Sequence, residues 1–148
     1  MMNFRKWSVL TAAGLIFALG RVLMAAEAGP APSAQPEGGR VFELRTYITH
    51  PGRLTALHKR FQEHTLRLFK KHGIEVVAFW TPTEGEEAKN TLIYVVAFPS
   101  KEARDKAWKA FSDDPEWKEA YAASHRDGPI VDKVESKLMR AVDYSPMK

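Results

Sequence analysis

The segment from residue 41 to residue 73 constrains the fold of this chain most strongly. Residues 41–49 alternate in polarity, which is the pattern of a β-strand with one apolar face. The apolar set is Phe42, Leu44 and Ile48, and the polar set is Glu43, Arg45 and Tyr47. Pro51-Gly52 then opens a segment whose apolar residues recur at helical spacing until Gly73. A strand followed at once by an amphipathic helix predicts an α+β domain that starts at Val41.

The later segments extend this pattern to β-α-β-β-α-β. Strands are predicted over residues 74–81, 91–98 and 131–142, the second of them buried on both faces because it is apolar almost throughout. Ser100 is expected to cap a helix that runs to about Ser112, and Asp114-Pro115 to start a short helix after it. The predicted fold is therefore ferredoxin-like, with one antiparallel sheet.

Two helices can cover only one face of a four-stranded sheet. We expect them to cover the apolar set, which leaves Glu43, Arg45 and Tyr47 on the other face together with one side of the apolar third strand. That face needs a cover, and we expect no further segment of the chain to supply it, so a second copy is predicted to do so. The hypothesis is a homodimer in the form of a dimeric α/β barrel, with the polar set lining the interior.

Several short sequence fragments along the domain resemble one known family. In order they are Glu43–Tyr47 with Pro51-Gly52, Gly73-Ile74, Phe79–Pro82, Tyr94, Asp114–Trp117 and Asp143–Pro146. Residues 41–146 thereby resemble a NIPSNAP domain. The resemblance implies the dimeric barrel, whereas the chemistry of the family is poorly defined. Similar dimeric barrels include cofactor-independent monooxygenases, and such an enzyme acting in the barrel pocket is the alternative to a non-catalytic module.

The first 28 residues have the three zones of a secretory signal peptide. Arg5 and Lys6 form the basic start, residues 9–19 are apolar, and cleavage is expected between Ala26 and Ala28. Arg21 ends the apolar run before it could span a bilayer. We expect a periplasmic or secreted protein with no stable membrane insertion after the signal is removed. Mitochondrial import is the alternative, because three basic residues precede the first acidic one.

Residues 29–40, rich in proline and glycine, are predicted to be a disordered linker.

Composition argues against several function classes. The net charge is +4, and lysines and arginines are interleaved with acids, so no basic stripe predicts nucleic-acid binding. The absence of cysteine removes disulfides and thiolate metal sites. The five histidines lie too far apart along the predicted helix, or outside it, to share a metal ion. We expect no metal and no cofactor. A haem would need an axial histidine inside the barrel, and His125 is the one histidine placed away from the first helix.

The polar set of the first strand is the main candidate site. Residues that alternate along a strand point the same way, about 6–7 Å apart, so Glu43, Arg45 and Tyr47 form one cluster. Glu43 and Arg45 could be an architectural ion pair that fixes strand register and dimer docking. Alternatively, Arg45 and Tyr47 could hold a small ligand with an anionic or carbonyl group.

Three aromatic or imidazole side chains could complete such a pocket. Trp80 and Tyr94 lie on the paired second and third strands, and His125 precedes the last strand. No catalytic residue can be assigned, because the chain has no nucleophile elbow, phosphate loop or dinucleotide fingerprint. The prediction is an exported, non-catalytic ligand-binding or interaction module.

Overall fold

The computed structural model describes residues 39–148, so the predicted signal peptide and most of the predicted linker lie outside the described residues. The strands are β1 (Val41–Thr49), β2 (Glu75–Trp80), β3 (Thr91–Phe98) and β4 (Val131–Met139). The helices are α1 (Leu54–Arg60), α2 (Leu66–Lys71), α3 (Lys101–Asp113) and α4 (Pro115–Ser124). A π-helical turn, Phe61–Thr65, joins α1 to α2, and a 3₁₀ turn, Glu86–Lys89, precedes β3. None of the helices in residues 39–148 is long and apolar enough to cross a bilayer.

The four strands form one antiparallel sheet in the order β2-β3-β1-β4. The two strands separated by the longest stretch of chain, β1 and β4, are neighbours, and Arg45 of β1 lies opposite Tyr94 of β3 and Ser136 of β4. This arrangement confirms the predicted α+β, ferredoxin-like fold with its β-α-β-β-α-β order.

Local capping explains where two of the helices begin. The Ser100 hydroxyl accepts a hydrogen bond from the Ala103 amide at 3.2 Å, and the Asp114 carboxylate accepts one from the Glu116 amide at 2.8 Å. Asp114 also accepts hydrogen bonds from Lys71 and His72, which ties the end of α2 to the start of α4. The first helix is different. The residue before it is Arg53, and no side chain caps this helix.

The predicted orientation of β1 is also wrong. Glu43, Arg45 and Tyr47 face the helices, since the Glu43 carboxylate is bonded to Trp108 of α3 and the Tyr47 ring packs on Phe61 of the π-helical turn. Burial of polar groups is acceptable where they are fully hydrogen-bonded, and here α3 supplies the partners. The apolar set, with Phe42 and Leu44, lies on the opposite face of the sheet.

The opposite face, which we call the open face, is partly covered by the chain itself. After β4, residues 140–147 border a groove of about 260 Å³ whose other walls include Phe42, Val77, Trp80 and Val95. The expectation that no segment of the chain could reach this face is therefore wrong. The cover is incomplete, because Trp80 is 51% exposed and Ile93 and Val95 are only half-buried.

The core lies between the sheet and the helices and is largely aromatic. Phe69 of α2 packs edge-on against Trp108 and Phe111 of α3, with ring centroids 5.4 and 5.1 Å apart. Trp117 packs on Phe111 with ring centroids 4.5 Å apart, which holds α4 to α3. These contacts fix the helices above β1 and β3, and so fix the groups that face the polar set.

Candidate functional site

A buried carboxylate organises the space between the sheet and α3. Glu43 is fully buried, and its two oxygens accept five hydrogen bonds of 2.6–2.9 Å. The donors are Arg45, Arg104 (two bonds), Trp108 and Ser136. Two guanidinium groups therefore face one carboxylate, and strands β1 and β4 are tied to α3 through a single side chain.

These hydrogen bonds decide the charge of Glu43. Burial would raise the pKa of the carboxyl group, but the bonds from Arg104, Ser136, Trp108 and Arg45 outweigh burial and lower the pKa from 4.5 to about 2. The group is ionised at neutral pH, and all of its acceptor capacity is used within the fold. Glu43 is consequently a poor general base and serves to position its neighbours.

Arg45, Tyr47 and Tyr94 form a donor cluster next to Glu43. The Arg45 guanidinium donates to Glu43 at 2.7 Å and lies over the Trp108 ring, 4.6 Å from its centroid. The rings of Tyr47 and Tyr94 meet edge-on with centroids 5.4 Å apart. Nε of Arg45 and the hydroxyl of Tyr94 are buried and make no hydrogen bond of normal geometry, although Tyr47 and Arg45 both interact with the Tyr94 hydroxyl. Such unpaired buried donors are uncommon in folded proteins, and each is a candidate for an external acceptor.

The pKa values of this cluster favour donation over proton abstraction. Burial raises the pKa of Tyr94 well above its ordinary value, and the neighbouring Tyr47 adds to that effect, while Arg45 opposes it only in part. Burial acts to lower the pKa of Arg45, but Tyr47, Tyr94 and the bond to Glu43 raise it overall. Both groups keep their protons at neutral pH, so they can hold an oxygen atom of a ligand but cannot remove a proton from it.

The cluster borders a strip of β4 that the helices leave uncovered. Val134, Ser136 and Leu138 lie opposite Tyr47, Arg45 and Glu43 and point to the same side of the sheet. Val134 is 43% exposed and Leu138 is 45% exposed, so this strip, which we call the β4 strip, is open to solvent. The Arg45 side chain is 17% exposed beside it. The β4 strip gives an apolar surface next to a cation, as a small ligand with one polar end would require.

Arg60, which sequence reasoning missed, is the second buried guanidinium on this side of the sheet. The residue is 4% exposed, and its Nε has no hydrogen-bond partner. Its guanidinium lies 5.5 Å from the ring centroids of both Trp117 and Tyr121 on α4. Burial lowers the pKa of Arg60, opposed only in part by Tyr47, Tyr121 and Tyr94. The Thr65 hydroxyl donates to the Arg60 carbonyl at 3.2 Å, and the π-helical turn begins at the next residue, Phe61.

The other predicted site residues do not join the donor cluster. Trp80 pairs with Ile93 and lies at the edge of the sheet, where it borders the open-face groove and a second groove of about 300 Å³ beside the π-helical turn. His125 ends α4, where its ring stacks on Tyr121 at 4.1 Å and its Nδ1 donates to the Tyr121 carbonyl at 2.7 Å. Within residues 39–148, no three histidine or acidic side chains are grouped so that they could hold a metal ion.

Both the sequence and the fold of the chain resemble those of known proteins. The NIPSNAP family profile matches residues 42–146. A NIPSNAP family protein of unknown function from Agrobacterium tumefaciens superposes with a TM-score of 0.65 at 24% identity, over 77% of this chain and 98% of its own. A NIPSNAP-like domain protein from Burkholderia xenovorans gives 0.64 at 16% identity, over 74% and 90%. The cofactor-independent oxygenase SnoaB from Streptomyces nogalater gives 0.50 at 16% identity, over 73% and 98%, which shows a shared fold alone. No curated protein gave a significant match.

Proposed function

This chain belongs to the NIPSNAP family, and from that premise we propose that it is a non-catalytic module that binds a small ligand carrying an anionic or carbonyl oxygen. The observation that carries the proposal is the fully buried Tyr94 hydroxyl, which makes no hydrogen bond of normal geometry and has only Arg45 and Tyr47 as interacting polar side chains. Tyr94 lies opposite Arg45 in the sheet, and Nε of Arg45 is likewise buried and unpaired. An unmade buried hydrogen bond costs about 1–3 kcal/mol, so a bound acceptor would recover that free energy.

The β4 strip supplies the rest of the proposed site. The carbon skeleton of the ligand would lie on Val134 and Leu138, which are exposed beside Arg45. Arg45 and Tyr47 hold the ligand oxygen from the strip side, and Tyr94 donates from below the helices. Glu43 binds no ligand in this arrangement, because its oxygens are already occupied by Arg45, Arg104, Trp108 and Ser136.

Binding is better supported than the alternative of a cofactor-independent monooxygenase. Such an enzyme must first generate an electron-rich, deprotonated substrate that can reduce dioxygen. The donor cluster lacks a base for that step, since the pKa of Glu43 is lowered to about 2 and that of Tyr94 is raised. The likeness to SnoaB is one of fold, and one fold supports unrelated chemistries. Consumption of dioxygen when a ligand is added would favour the alternative.

Removing the Tyr94 hydroxyl is expected to weaken binding without weakening the fold. We expect acetophenone to bind the purified protein in calorimetric titrations and toluene, of similar size without oxygen, not to bind. Tyr94→Phe should lower the affinity for acetophenone about tenfold, the value of one hydrogen bond, while the melting temperature of the free protein stays the same or rises.

Tyr144→Phe is the matched control, because Tyr144 is 89% exposed and loses the same atom far from the donor cluster. Equal affinity of toluene and acetophenone would contradict the proposal. So would a Tyr94→Phe variant that melts earlier and binds unchanged, which would give the hydroxyl a structural role.

We also propose that the protein is a homodimer through the open face. Leu44, Ile93 and Val95 remain half-buried there, and Trp80 and Met139 are 51% and 37% exposed. Light scattering at micromolar concentration should give twice the monomer mass, and Ile93→Lys should shift the mass to that of the monomer. Val134→Lys, on the helix side of the sheet, is the control. A monomeric parent protein would contradict the proposal.

Export remains a proposal that the leader sequence supports. Arg5 and Lys6 followed by the apolar residues 9–19 form a signal peptide pattern, with cleavage between Ala26 and Ala28. The mature protein is then expected outside the cytoplasm, starting near Glu27 or Gly29. N-terminal sequencing of protein isolated from its host should give that start, whereas an intact Met1 or Met2 would contradict export.

A further inference from the structure

Arg60 marks a buried cation that its own fold leaves largely uncompensated. Removing a guanidinium from water is costly unless an anion or several acceptors replace the lost hydration. The structure gives the Arg60 side chain one hydrogen bond, from Nη1 to the Ser124 hydroxyl at 3.4 Å. No carboxylate of residues 39–148 forms an ion pair with it. Arg45 differs, since it is paired with Glu43 at 2.7 Å.

We infer that Arg60 is the anchor of a separate binding site for a small carboxylate, placed between α1 and α4. The unpaired Nε lies on the edge of the guanidinium away from the bond to Ser124, and this edge can bind both oxygens of a carboxylate. A single negative charge makes the buried pair neutral, whereas a doubly charged phosphate would leave one charge unbalanced in the interior.

The surroundings of Arg60 favour a ligand with a flat or apolar body. The rings of Trp117 and Tyr121 each lie 5.5 Å from its guanidinium, and Tyr121 is 47% exposed, so one ring reaches solvent. Ser124 is tied to the Tyr121 carbonyl at 2.8 Å, which holds its hydroxyl next to Arg60. The His125 ring stacks on Tyr121, and its Nδ1 donates to the same Tyr121 carbonyl. The carboxylate of a bound ligand would therefore meet groups that two adjacent helices hold in place.

The π-helical turn explains how a cation comes to be buried here. Thr65 is itself buried, and its hydroxyl donates a hydrogen bond to the Arg60 carbonyl at 3.2 Å. Inserting a π turn shifts the side chains on either side of it around the helix axis, and such turns often occur at functional positions. The site does not depend on the Arg45 cluster, so either can fail while the other stands.

The test compares Arg60→Met with the parent protein in acetate, benzoate and indole-3-acetate. In the parent protein we expect at least one of these carboxylates to raise the melting temperature by an amount that depends on Arg60, and the effect of its matched amide to be the same in the parent protein and in Arg60→Met. Methionine keeps most of the side-chain volume and removes the charge. The variant should therefore lose at least tenfold in carboxylate affinity, while its melting temperature without ligand stays the same or rises.

Arg126→Met is the control, because Arg126 is exposed close to the same helix end. It should keep the parent affinity. Tyr94→Phe separates this site from the donor cluster, since it should leave the Arg60-dependent binding unchanged. The inference is overturned if none of the three carboxylates shifts the parent protein, or if Arg60→Met binds them as well as the parent. A variant that melts far below the parent without ligand would also overturn it, since Arg60 would then be a structural residue.

Discussion

Replacing Glu43 with glutamine is expected to lower the free energy of unfolding by about 3–5 kcal/mol, the usual cost of removing one partner from a buried ion pair. The amide keeps the shape but loses the charge that faces Arg45 and Arg104. Its NH₂ group would also point at groups that are themselves donors, among them the Trp108 ring nitrogen, now 2.7 Å from a carboxylate oxygen. Urea unfolding followed by tryptophan fluorescence measures the change.

Glu75→Gln is the matched control for this substitution. Glu75 also pairs with an arginine, Arg40, but its side chain is 63% exposed. An exposed pair contributes about 0–1 kcal/mol, so the control should differ little from the parent protein. If Glu43→Gln lost as little as Glu75→Gln, Glu43 would not be the link between the sheet and α3.

The fold could be predicted because its signals are local. The alternation of residues 41–49, the caps at Ser100 and Asp114 and the stop at Gly73 each depend on a few neighbouring residues. Gly73 has a positive φ of 70°, which glycine adopts without strain, so its place after α2 follows from the backbone alone. These signals fixed the order of elements, and that order admits few arrangements of four strands.

The face of β1 that meets the helices could not be predicted in the same way. Alternation shows that Glu43, Arg45 and Tyr47 share a face, but it does not say which face the helices cover. The answer depends on Arg104 and Trp108, which lie 61 and 65 residues further along the chain and supply the bonds that make burial of Glu43 possible. A polar set is usually assigned to solvent, and that rule fails where long-range partners satisfy the set.

Arg60 was missed for a related reason. A basic residue near the end of a helix is normally read as a solvated group that complements the helix dipole. The π-helical turn that begins after Arg60 interrupts the regular 3.6-residue period, so the residues on the inward face cannot be counted through it. A signal was nevertheless present in Thr65, a hydroxyl residue at an inward position, which bonds back to the Arg60 carbonyl.

Acid is expected to remove the contribution of Glu43 to stability between about pH 5 and pH 2. The folded protein lowers the pKa of this carboxyl from 4.5 to about 2, so the unfolded chain takes up the proton first as the pH falls. The contribution is complete above the unfolded value and declines as the pH approaches the folded value. At about 1.4 kcal/mol for each pKa unit, the loss is about 3 kcal/mol.

Comparing the parent protein with Glu43→Gln isolates this loss from that of other carboxylates. The pKa of Asp114 is also lowered, by its bonds to Lys71 and His72, but this affects both proteins equally. The free energy of unfolding of each is measured in urea at a series of pH values from 7 to 2. The gap between the two curves should be constant down to about pH 5 and then narrow by about 3 kcal/mol, because protonation makes Glu43 resemble the amide. Parallel curves throughout would show that Glu43 has a similar pKa in the folded and unfolded protein. In that case the five hydrogen bonds would compensate burial without adding to stability, and Glu43 would specify the orientation of β1 without strengthening the fold.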